Sequence, residues 1–135
     1  MRPKSIFREG IIMADNVNHP AHYAKRDGVN FECIDLTEWQ TFSTGNAIKY
    51  LWRFRSKGKQ LEDLQKSLWY AHRAAMLGQG VSQANINCVD ILRLLIDHTQ
   101  GFERVAWQAL AENDWHGYIE ALDRMIERLE NGKEA

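Results

Sequence analysis

The stretch GNAIKYLWRFRSKGKQLEDLQKSLWY, residues 45–70, decides the fold. On a wheel of 100° per residue, Ala47, Ile48, Leu51, Trp52 and Phe54 fall on one broad side, and Asn46, Lys49, Tyr50, Arg53 and Lys57 form a narrow stripe opposite. This is the spacing of a helix that buries one face, not the period of two that marks a strand. The segment SKGKQ, 56–60, interrupts the pattern, because Gly58 stands among polar residues. A second helix is expected over 61–76, with Leu61, Leu64, Leu68, Ala71 and Ala75 toward a core and Asp63, Lys66, Tyr70 and Arg73 on the other side.

Downstream, LGQGVSQAN (77–85) has two glycines and no charge and is the best linker candidate. INCVDILRLLIDHT (86–99) is apolar on most faces, as a central buried helix would be. Two amphipathic helices follow, over 102–111 and 115–130. Phe102, Val105, Ala106, Ala109 and Leu110 mark the first, and Tyr118, Ile119, Leu122, Ile126 and Leu129 the second. Asn113 or Asp114 can cap the second, which makes the pair an antiparallel hairpin.

Upstream, FECIDLTEWQ (31–40) reads as a short helix. NHPAHY (18–23) is extended or turn-like, because Pro20 biases His19 away from the helical region. The residues before Met13 read as a flexible arm or an upstream start. No segment has a convincing period of two. The expected fold is therefore all-α: a small single-domain helical bundle with an N-terminal extended segment and a C-terminal helical hairpin. Its divisions are an arm over 1–17, a helical region over 18–77, and a second helical region over 78–135 packed in the same domain.

At 135 residues the chain suits one domain, and 26% charged with 44% hydrophobic residues excludes wholesale disorder. No apolar run reaches the roughly 18 residues of a membrane span, and no apolar leader opens the chain, so a cytoplasmic protein is expected, without membrane partners. Cys33 and Cys88 have no metal-binding spacing and read as buried free thiols. A net charge of -1 argues against general nucleic-acid binding. The charge is unevenly spread, however. From Gly45 to Arg73 there are seven basic residues and two acidic ones, whereas from Phe102 onward there are eight acids and four bases.

The chain has no P-loop, no G-x-G-x-x-G, no nucleophile elbow and no H-E-x-x-H. Nucleotide chemistry would need an unusual site. The row Asn46, Lys49, Arg53 and Lys57 repeats donors about one turn, about 5.4 Å, apart, which suits successive phosphates. Gly45 just ahead of the helix would admit an anion at its N-terminal end. The bland alternative is a solvated surface stripe. Glu32 and Asp35 share a face and suit Mg²⁺ or general-base work, or ordinary salt bridging. His19, His22 and Tyr23 can meet a phosphate or a base, but no third ligand accompanies the histidines, so no metal site is expected. His72, His98 and His116 read as structural. The five tryptophans read as core, with Trp39 an optional stacking platform.

Taken together, NHPAHY, ECIDL, GNAIKYLWR, KG and EDLQKSLWY resemble a family of small bacteriophage proteins with the pattern H-P-x-H-Y, E-x-I-D, G-N-A-x-K-Y-x-x-R, K-G and D-L-x-K-A-x-W-Y. Many members are of unknown function, and some are described as nucleotide kinases without a P-loop that phosphorylate deoxynucleoside monophosphates. The resemblance covers about 18–73 and places His19, His22, Tyr23, Glu32, Asp35, Asn46, Lys49, Tyr50, Arg53, Lys57, Asp63, Lys66 and Tyr70 on motif positions. Ser67 stands where alanine is usual. What it implies is a phage or prophage protein in the host cytoplasm that binds a nucleotide or other phosphorylated small molecule. His19, His22, Tyr23, Asn46, Lys49, Tyr50, Arg53, Lys57 and Lys66 would form the binding set, and Glu32 and Asp35 the catalytic pair. Mg²⁺ and ATP would be needed if it is a kinase. Two alternatives stand beside this: capture of a nucleotide without turnover, as an anti-defence device, and a helical adaptor for a host protein. A homo-oligomer is expected, since an apolar helix can be spared for self-association.

Overall fold

The computed structural model describes residues 25–56 and 58–135, and among these residues there are six helices. They are α1 (Cys33–Thr37), α2 (Phe42–Arg53), α3 (Gln60–Met76), α4 (Ile86–Asp97), α5 (Gly101–Ala111) and α6 (Trp115–Glu130). Among the described residues there is no strand, only an isolated bridge between Arg26 and Val29. The fold is all-α and a small single domain. His19, His22, Tyr23 and Lys57 lie outside the described residues.

The helix ends follow local chemistry. At α1 the backbone N–H of Glu32 donates to Asp35 Oδ2 at 2.9 Å, half of a reciprocal capping box. Asn85 and Asp114 cap α4 and α6 by accepting from Asn87 N and Gly117 N, each at 2.9 Å. Gly58 has φ +73 between α2 and α3, which is where the sequence breaks its helical period.

The helices close into a ring. Going round it, α1 packs on α2, α2 on α3, α3 on α6, α6 on α5, α5 on α4, and α4 returns to α1. Leu36, Ile48, Leu51, Phe54, Leu64, Ile91, Leu92, Leu95, Trp107, Leu110, Tyr118 and Leu122 are fully enclosed. Each such burial is worth roughly 1.5–3 kcal/mol. Trp52 meets Trp107 edge to face, with centroids 6.5 Å apart.

Several expectations change. Helix α2 begins at Phe42, so Gly45 lies within its first turn and its N–H already donates to Thr41 O at 2.7 Å. No anion seat opens at Gly45. Helix α4 is not central: it buries Cys88, Ile91, Leu92 and Leu95 on one face and leaves Ile86 exposed. Helix α3 is rotated from the expected setting, with Ala75 exposed and Asp63, Ser67 and Ala74 buried. In α5, Phe102 and Val105 reach the surface while Glu103 and Trp107 turn inward. The physical reason is common to α3 and α5. A polar side chain can occupy a core position when it finds its partners there.

Ser67 shows this directly. Its hydroxyl donates to Ala47 O at 2.8 Å and lies 2.6 Å from Tyr118 Oη, which also reaches Ala47 O at 3.3 Å. The departure from alanine at this position is thus a buried joint between α2, α3 and α6. The 78–85 segment is no slack linker either. Val81 N donates to Asn113 Oδ1 at 2.6 Å, Ser82 N to Gln40 Oε1 at 2.7 Å, and Trp115 Nε1 to Gln79 O at 2.6 Å. Both cysteines are free and buried, and burial pushes the Cys33 thiol up to about 12. Among the described residues no helix is long and apolar enough to cross a membrane.

Candidate functional site

Tyr50, in the last third of α2, sits at the centre of the cationic stripe. Lys49 Nζ lies 4.5 Å from its ring centroid, Arg53 Cζ 4.8 Å, and Lys66 Nζ, arriving from α3, 5.4 Å. Three cations converging on one ring repel each other, and the negative face of the ring offsets part of that repulsion. Two acids of α3 offset more. Arg53 Nη2 pairs with Asp63 Oδ1 at 3.2 Å, with the two side chains 9% and 1% exposed. Lys66 Nζ pairs with Glu62 Oε2 at 2.8 Å, which lowers the Glu62 carboxyl and raises the Lys66 ammonium from their ordinary values.

These pairings correct the sequence reading in two places. Arg53 is not a solvent-facing donor: it is buried beside Tyr50 and held from below by Asp63, itself expected on the outer side of α3. Asn46 uses an amide hydrogen on Phe42 O at 2.9 Å. The stripe keeps Lys49, Tyr50 and Lys66 at the half-buried surface.

An aromatic group adjoins the cations. Tyr70 of α3 stacks on Tyr50, centroids 6.1 Å apart and planes within 11°. Phe42 and Trp69 meet Tyr70 edge-on at 5.9 and 5.1 Å. Phe42 is 76% exposed and Trp69 61% exposed. Large rings so open to water, beside lysines, form a surface on which another planar ring can stack. The sequence does not single out Phe42, and its hydrophobicity alone assigns Trp69 to the core. A signal for Trp69 is present all the same, since it shares a helical face with Lys66, Tyr70 and Arg73. Trp39, also expected in the core, is exposed.

Glu32 and Asp35 lie at the start of α1, which packs on α2. Their carboxylates form the α1 capping box. Among the described residues, no three His, Cys, Asp or Glu side chains converge to hold a metal ion.

A second polar cluster leaves no mark on the sequence pattern. Glu103 is buried and accepts from Arg26 Nη2 at 2.7 Å, Arg55 Nε at 3.0 Å and Trp107 Nε1 at 3.1 Å. It forms part of the wall of a cavity of about 560 Å³ lined also by Arg26, Trp52, Arg55, His98 and Gln100.

The cationic face and the aromatic group belong to one recognisable stretch of sequence. Residues 17–72 match DUF3310, a family described as a protein of unknown function. No curated protein and no solved structure matches the chain. The DUF3310 segment contains α1, α2 and most of α3, and with them Phe42, Lys49, Tyr50, Arg53, Asp63, Lys66, Trp69 and Tyr70. Glu103 and helices α4 to α6 fall beyond it.

Proposed function

We propose that the α2–α3 face of the DUF3310 segment binds a nucleotide or a closely related phosphorylated small molecule. The observation that carries this is the convergence of Lys49, Arg53 and Lys66 on Tyr50, directly beside the exposed Phe42 and Trp69. Lys49 and Lys66 reach the phosphate, and the buried Arg53 adds fixed positive potential behind them. The base stacks on the Phe42–Tyr70–Trp69 group. Each charge-assisted hydrogen bond contributes roughly 1.5–3 kcal/mol, and one stacked base roughly 1–3 kcal/mol. After the costs of association this supports binding on the order of micromolar.

Phosphoryl transfer to a deoxynucleoside monophosphate is the finer form of this reading, suggested by the resemblance to phage proteins. ATP and Mg²⁺ would accompany it, with Glu32 and Asp35, which also cap α1, as the carboxylates beside the phosphates. Binding without turnover needs only the cations and the exposed rings.

Calorimetry with the common deoxynucleoside monophosphates and ATP tests it. Lys49→Ala/Lys66→Ala is expected to weaken binding by roughly 30-fold or more, from the loss of two charged donors. Glu62→Gln releases Lys66 from its partner and is expected to tighten binding about threefold. No heat with any nucleotide, or an unchanged affinity in the double variant, would sink the proposal. Diphosphate formed from a monophosphate and ATP in the same tubes would extend it to a kinase.

A further inference from the structure

We infer that the cavity between the 25–29 turn, the end of α2 and the start of α5 is a second ligand site, taking a single phosphate group independently of the α2–α3 face. Its volume of about 560 Å³ falls in the range of small-molecule sites, roughly 300–1,000 Å³. Its chemistry starts from Glu103. A buried carboxylate needs a reason, and this one fixes two guanidinium groups, Arg26 and Arg55, at the cavity wall.

Arg55 donates to Glu103 through Nε while its guanidinium lies over the Phe54 ring, so among the described residues both terminal nitrogens of its fork are without a hydrogen-bond partner, on a side chain 42% exposed. A guanidinium fixed through Nε presents that fork in a set direction, the geometry that suits a phosphate's oxygens. The start of α5 borders the same space through Gln100 and Gly101, and the Gln100 side chain makes no capping hydrogen bond to the helix. The positive end of the helix thus meets the cavity without a cap from Gln100.

His98 completes the rim. Its Nδ1 lies 2.9 Å from Leu94 O, which fixes the ring and leaves Nε2 for other use. The 25–29 turn approaches that ring closely only because residue 28 is glycine: φ is +78, and a Cβ there would lie 2.1 Å from His98 Cδ2.

The charge balance sets the ligand class. Lys25, Arg26 and Arg55 line the cavity together with Asp27, Glu103 and Glu134. Three cations against three acids cancel, so what draws an anion is local, the fork of Arg55 and the start of α5, which suits one phosphate group and not a polyphosphate. A phosphomonoester or free phosphate fits; a nucleoside triphosphate does not.

The test titrates inorganic phosphate into the full-length Lys49→Ala/Lys66→Ala protein, whose α2–α3 face is disabled, and follows the indole N–H signals of Trp52 and Trp107 by NMR. Saturable shifts are expected. Adding Arg55→Ala should weaken them at least tenfold. Because that change also disturbs Glu103, Gln100→Glu is the decisive partner: it places a carboxylate at the cavity mouth, where the start of α5 favours an acid, so folding is kept while phosphate affinity falls at least tenfold. No saturable shift, or equal affinity with Gln100→Glu, overturns the inference. Nucleotide binding by the parent protein is a separate readout, so either site can fail while the other still registers.

Discussion

Arg53→Met is expected to cost about 3–5 kcal/mol of stability. Asp63 is 1% exposed and its paired oxygen accepts from Arg53 at 3.2 Å, while its Oδ2 has no hydrogen-bond partner among the described residues. Without the guanidinium a buried carboxylate is left without the counter-charge that pairs it. Arg53→Met/Asp63→Leu removes both charges and is expected to recover most of the loss, since replacing a whole buried pair by apolar groups is often neutral. Urea unfolding of the parent and both variants at neutral pH checks this. A single variant within about 1 kcal/mol of the parent at neutral pH would refute it.

Glu103→Leu is expected to be similarly damaging, by about 3–4 kcal/mol. Three donors converge on the Glu103 carboxylate, and they do not lose equally when it goes. Arg55, 42% exposed, can turn its charge to water, whereas Arg26 at 18% exposed and the fully buried Trp107 indole N–H cannot. Most of the loss therefore belongs to Arg26 and Trp107. Glu103→Gln keeps an acceptor and should lose about half as much. A denaturant midpoint for Glu103→Leu that matches the parent would show that the cluster is dispensable.

These two sites also mark the boundary of what the sequence disclosed. Helical periodicity located α2, α3, α5 and α6 because their buried sides are mostly apolar, and a cap at Asn113 or Asp114 was legible, of which Asp114 is the one that accepts from Gly117 N. Periodicity assigns every polar residue to the outside, so it misplaced Asp63 and could not see that Ser67 and Glu103 face inward. Their partners are remote: Ser67 meets Tyr118 across 51 positions, and Glu103 meets Arg55 across 48. The same reading put Trp69 in the core because hydrophobicity, not exposure, is what a sequence records. The cationic stripe was visible because Lys49, Tyr50 and Arg53 repeat at helical spacing. The cavity was not, because it draws on four segments, at residues 25–27, 52–56, 98–103 and 134–135, that nothing but the closed ring brings together.

The helix ring separates two notions of unit that often coincide. The length of chain recognisable by pattern ends at residue 72, inside α3. The length that can exclude water from its own interior does not end there, for the inward side of α3, with Leu64, Ser67, Ala71 and Ala74, is completed by α6, and α1 is sealed by α4. What is inherited as a signature and what folds as an object are therefore different stretches, and residues 73–135 serve the first by completing the second.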